Sequence, residues 1–139
     1  MNKKNVIMTL TYGGTVPFFL CIILDTYYGA SGYLDFTRAL ILYGAIIASF
    51  ISGTHWGIHL SQNINFNMLL HSNVSALLAW VNLLLPEPFS LVLLIGVFIY
   101  LLVLENKIAS ERLIEAWYFA LRQRATAIVI CCLIIPLYF

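Results

Sequence analysis

The sequence predicts an all-α, polytopic membrane protein: a bundle of about five transmembrane helices with one short interfacial helix. Three observations predict it. Hydrophobic residues make up 62% of the chain and charged residues 9%, whereas a water-soluble domain carries about 25% charged residues. The mean hydropathy is +0.94. The few charges fall in clusters, and the uncharged runs between them approach the ~20 residues that a helix needs to cross the hydrocarbon. The 139 residues suit a single domain, 1–139. A net charge of +1 offers no basic stripe, which excludes a nucleic-acid partner. Cys21, Cys131 and Cys132 are odd in number and lie in apolar surroundings, so they imply no disulfide framework.

The first helix is expected over 6–24. Lys3 and Lys4 ahead of an apolar run also fit a signal peptide, with Ala30-Ser31-Gly32 as the cleavage site. That site lies well past the apolar run, so the segment is read as a helix. Pro17 removes a backbone bond and crowds the carbonyl four residues earlier, which predicts a kink near Gly13 and Gly14. After a Tyr- and Gly-rich loop, Asp35 is placed to cap the second helix, 36–60.

That second helix reads as the centre of the bundle. At about 100° per residue, Gly44, Ala48, Ser52, His55 and His59 share one face, with Ala45, Ser49, Gly53 and Trp56 beside them. Small residues four apart let membrane helices approach closely, so Gly44, Ala48, Ser52, Gly53 and Gly57 are the expected packing positions. The third helix is expected over 66–85, with His71, Ser75 and Asn82 on one stripe, and Pro86-Glu87-Pro88 stops it. The fourth, 89–104, is almost uniformly aliphatic and reads as a peripheral, lipid-facing helix. Residues 105–116 alternate in charge and suit an amphipathic helix at the interface. The last span is expected over 117–139.

With five spans and a cytoplasmic N-terminus, six of the seven Lys and Arg residues fall inside and only Arg38 outside. This positive-inside bias predicts a cytoplasmic N-terminus and a C-terminus facing the periplasm or the equivalent space. His55, Trp56, His71, Tyr12, Arg122 and Arg124 then come to one level of the inner leaflet. No carboxylate is expected there, which disfavours a proton-coupled transporter, because intramembrane relays generally use Asp or Glu. Imidazoles, a tyrosine, indoles and guanidiniums at that depth can hold a quinone carbonyl or a lipid phosphate. The alternative is a haem- or metal-binding redox protein using His55 with His71 or His59. A third reading is a small transporter or channel along the polar face.

Leu10-Thr11-Tyr12-Gly13-Gly14-Thr15-Val16-Pro17-Phe18, Gly53-Thr54-His55-Trp56-Gly57, Ala79-Trp80 and Leu121-Arg122-Gln123-Arg124 together resemble a family of small bacterial inner-membrane proteins. That family is known as a domain of unknown function and has relatives among mitochondrial transmembrane proteins. Its pattern has a glycine where Ser52 stands, and its motif does not extend to His59. The resemblance implies a helical protein of the bacterial cytoplasmic membrane and no established activity. The expectation is therefore a non-enzymatic accessory or assembly protein, or a binder of a lipid or quinone head group. Its partners would be the bilayer and a membrane complex or further copies of itself.

Overall fold

In the computed structural model, which describes residues 2–29 and 33–139, the first span is two helices: α1 (Lys3–Gly13) and α2 (Val16–Tyr28). The break falls where Pro17 requires it, at Gly14 and Thr15, with Pro17 in the first turn of α2. The Thr15 hydroxyl donates to the Tyr12 carbonyl at 2.7 Å. The Tyr43 hydroxyl reaches from the next helix to the Gly14 carbonyl at 2.9 Å. The proposed cleavage site at Ala30-Ser31-Gly32 lies outside the described residues.

Four further helices follow: α3 (Phe36–Ser61), α4 (Met68–Asn82), α5 (Phe89–Ser110) and α6 (Ala116–Tyr138). The described residues contain no strand. Asp35 caps α3 as expected, its carboxylate accepting the Arg38 amide at 2.8 Å. With α1 and α2 taken as one span, four segments are long and apolar enough to cross a membrane. The helix α4, at 15 residues, is shorter than the 66–85 expected. Asn67 starts it by accepting the Leu70 amide. Beyond Asn82 the chain tightens into turns in which Leu83, Leu84 and Leu85 bond three residues back, ahead of Pro86.

The core corrects the sequence reading at α5. Far from peripheral, α5 buries Leu91, Leu94, Val97, Phe98, Leu101 and Leu104 in the bundle, packed against α4, α6 and α3. A helix apolar all round is as compatible with the protein interior as with lipid, so its composition could not place it. α3 is central too, burying Leu40, Ile41, Gly44, Ala45, Ala48 and Ile51. At Gly44 the approach is closest: a Cβ there would sit 2.7 Å from Leu94 Cδ2. Ser52 donates to the Ala48 carbonyl and meets Ser75 of α4 at 2.8 Å, a buried polar contact between helices.

The expected interfacial helix over 105–116 does not form as a separate element. Residues Glu105 to Ser110 continue α5. The helix then ends in a reversal where Arg112 takes a left-handed conformation (φ 57°). There the Leu113 amide bonds the Ile108 carbonyl and the Arg112 amide that of Ala109, the paired bonds of a Schellman ending. Gly53 and Gly57 also depart from expectation: both are exposed, with no neighbour within 4 Å of a Cβ position. Each step of four residues drifts about 40° around the helix, so the ridge that starts buried at Ala45 has turned outward by Gly57.

Candidate functional site

Extending α5 past residue 104 carries a carboxylate into the bundle. Glu105 lies four residues after Leu101 and three before Ile108, so it shares their inward face; it is 4% exposed. α6 brings Arg122 to it: Nε donates to both carboxylate oxygens, at 3.1 and 3.3 Å. α3 brings His55, 1% exposed, with Nε2 3.6 Å from Glu105 Oε1. That separation exceeds a hydrogen bond, and neither ring nitrogen of His55 has another partner. The expectation that no carboxylate reaches the level of the histidines is thus overturned, and with it the argument against proton coupling.

Beside this cluster lies a cavity of about 190 Å³. Leu10, Thr11, Gly14 and Thr15 wall it at the α1–α2 break. Phe50 and Thr54 come from α3, Phe98 from α5, and Tyr118, Arg122 and Thr126 from α6. Leu10 and Phe50 are 70% and 71% exposed, so the rim meets the apolar surface that faces lipid. A cavity of roughly 150 Å³ admits one benzene ring, and drug-sized ligands need about 300–1,000 Å³. The space therefore fits a ring or head group and leaves an acyl or prenyl tail along the outside. Arg122 is the charged group on its wall, with a side chain 12% exposed. Its Nε is committed to Glu105, and its terminal nitrogens have no hydrogen-bond partner among the described residues.

Of the residues expected to converge, His55 and Arg122 do so. Tyr12 is half-buried and off the cavity wall, although its carbonyl takes part in the break. Trp56 and Arg124 are exposed. His71 Nδ1 is 2.5 Å from the Tyr100 hydroxyl, and its ring packs edge-on to Phe66. His59 is half-buried, and its Nδ1 lacks a partner. Among the described residues no three His, Cys, Asp or Glu side chains form a group able to hold a metal ion, so His55, His59 and His71 do not make a ligand set. The sequence reading missed Glu105, Tyr118 and Thr54. Glu105 stands four residues after Leu101 and three before Ile108, but in a helix apolar all round that spacing marks no inward face.

These features define a polytopic helical membrane protein with a buried charged cluster beside a cavity open to lipid. The chain belongs to the family described as "Protein of unknown function (DUF3429)", whose model matches residues 3–138. It is also similar to Transmembrane protein 69 of Xenopus tropicalis, 28% identical over 129 residues that cover 90% of this chain and 51% of that protein. The chain thus spans about half the length of this curated relative. No solved structure matches it.

Proposed function

We propose that the protein is a non-enzymatic binder of an amphipathic membrane component, a lipid or a quinone, whose head group enters the cavity and meets Arg122. The observation that carries this reading is the guanidinium on the wall, half-buried and with its terminal donors unspent. Such donors suit a carbonyl or an anionic oxygen. The proposed setting is the bacterial cytoplasmic membrane with the N-terminus inside, supported by the Lys and Arg bias. In that orientation the site lies in the inner leaflet, and its role is that of an accessory component of a membrane complex.

Native mass spectrometry of protein released from mild detergent tests this. The expected result is a stoichiometric lipid or quinone on the wild type, lost in Arg122→Gln. Arg122→Gln also strips Glu105 of its partner, so Thr11→Phe, on the peripheral wall of the cavity, is the second variant. It should fold and exclude the bound molecule. Identical adducts on the wild type and both variants would place the binding elsewhere and sink the proposal.

A further inference from the structure

The cavity wall explains Arg122 but leaves His55 unused. An imidazole 1% exposed with both nitrogens unbonded is expensive to keep. Its Nε2 lies 3.6 Å from a carboxylate oxygen of Glu105, just beyond hydrogen-bond distance. With His55 neutral, Glu105 and Arg122 cancel and the buried cluster carries no net charge. With His55 protonated, it carries one positive charge. The other titratable groups nearby are Tyr118, His71 and His59. Tyr118 of α6 lies on the cavity wall. His71 of α4 is taken by Tyr100 of α5. His59 lies one turn further along α3, off the cavity wall, with its Nδ1 also unpartnered. The walls from α1 and α2 are Leu10, Thr11, Gly14, Thr15 and Phe18, with no titratable group.

We propose that the site takes an anionic oxygen head group together with one proton, which His55 holds. This rests on the reading of the cavity as a head-group site. An anion brought beside a neutral ion pair in a low-dielectric cavity is uncompensated. A proton taken from solution by His55 restores neutrality: Glu105 and the ligand contribute two negative charges, Arg122 and His55 two positive. The new Nε2–H then donates to Glu105 Oε1, closing the present gap, while the terminal nitrogens of Arg122 remain free to hold the ligand. A neutral quinone carbonyl would need no such proton. A fatty-acid-like anion and a phospholipid diester share the required chemistry.

Isothermal titration of the full chain in phosphatidylcholine nanodiscs, near neutral pH in two buffers of different ionisation enthalpy, reads the proton directly. The probes are decanesulfonate, dihexanoyl phosphatidylglycerol and neutral decylubiquinone; none of them takes up a proton in this range. The expected result is about one proton taken up per bound anion, with affinity falling about tenfold per pH unit wherever that proton is taken up. Decanesulfonate or the phosphatidylglycerol binding alone would distinguish a single-chain acid from a phospholipid as the ligand. His55→Gln should bind the anion at least tenfold more weakly and without proton uptake. Glu105→Gln leaves Arg122 uncompensated, so it should bind the anion without a proton even if His55→Gln fails to fold. Anion binding with no proton uptake, or with uptake unchanged in His55→Gln, would overturn the coupling and leave the head-group reading standing. Binding of decylubiquinone alone would do the same. Binding of none of the three probes would overturn both.

Discussion

The Tyr43 hydroxyl donates to the carbonyl of Gly14 at 2.9 Å and so ties α3 to the break in the first span. Past the break the Phe18 amide bonds Thr15, so the Gly14 carbonyl receives no helical amide. In hydrocarbon an unsatisfied carbonyl is costly. Tyr43 is therefore what allows the broken backbone to line a cavity.

Tyr43→Phe should leave the fold intact and loosen the break. The loss expected is about 1 kcal/mol. Amide exchange measured by mass spectrometry should accelerate at residues 14–18, with α3 and α5 unchanged. Uniform exchange across the variant would show that the contact does not hold the break.

The Glu105–Arg122 pair predicts an asymmetry between single and double substitutions. Removing one partner of a buried pair costs about 3–5 kcal/mol, whereas replacing both with apolar residues is often neutral. Glu105→Leu and Arg122→Met should each lower the thermal midpoint in detergent markedly, and the double variant should recover most of the loss. Additive losses would show that the two side chains do not act as a pair.

Arg112 holds a left-handed conformation that glycine adopts without strain. Arg112→Gly should stabilise the α5 ending by roughly 1 kcal/mol, seen as a higher thermal midpoint. A lower midpoint would mean that the Arg112 side chain contributes more than its backbone costs.

At the opposite end, loss of hydration pushes the Glu87 carboxyl above its ordinary range. Asp35 adds to this, Arg38 opposes it and Asp25 adds a little. A carboxyl whose folded pKa is raised contributes stability that is complete below its unfolded value and is lost as pH rises through the folded one. Thermal unfolding of the wild type and Glu87→Gln across the carboxylate range should diverge in that direction, the variant gaining on the wild type as pH rises. Parallel curves would remove Glu87 from the pH response.

The helical membrane class, the family and the break, expected near Gly13 and Gly14 and found at Gly14 and Thr15, were legible because each rests on local chemistry: hydropathy, the motifs, and Pro17. The buried face of α3 was legible down to Ser52 and His55, since small and polar residues stand out among aliphatic ones. α5 was not, because Leu, Ile and Val serve lipid and interior alike. Glu105 was misplaced for a related reason. Read by its neighbours Lys107 and Glu111 it belongs to a charged surface segment, and its burial depends on Arg122 arriving from another helix. The cavity could not be foreseen, being a space between five elements with no sequence pattern of its own.

α1 has no buried side chain, yet with Thr15 and Phe18 it supplies one wall of the cavity. The element that sets the cavity's shape is thus the one that contributes least to the α3–α5 core. Substitutions at Leu10 or Thr11 can resize that space at little risk to folding. Within this architecture, selectivity can be retuned from the rim while the scaffold stays fixed.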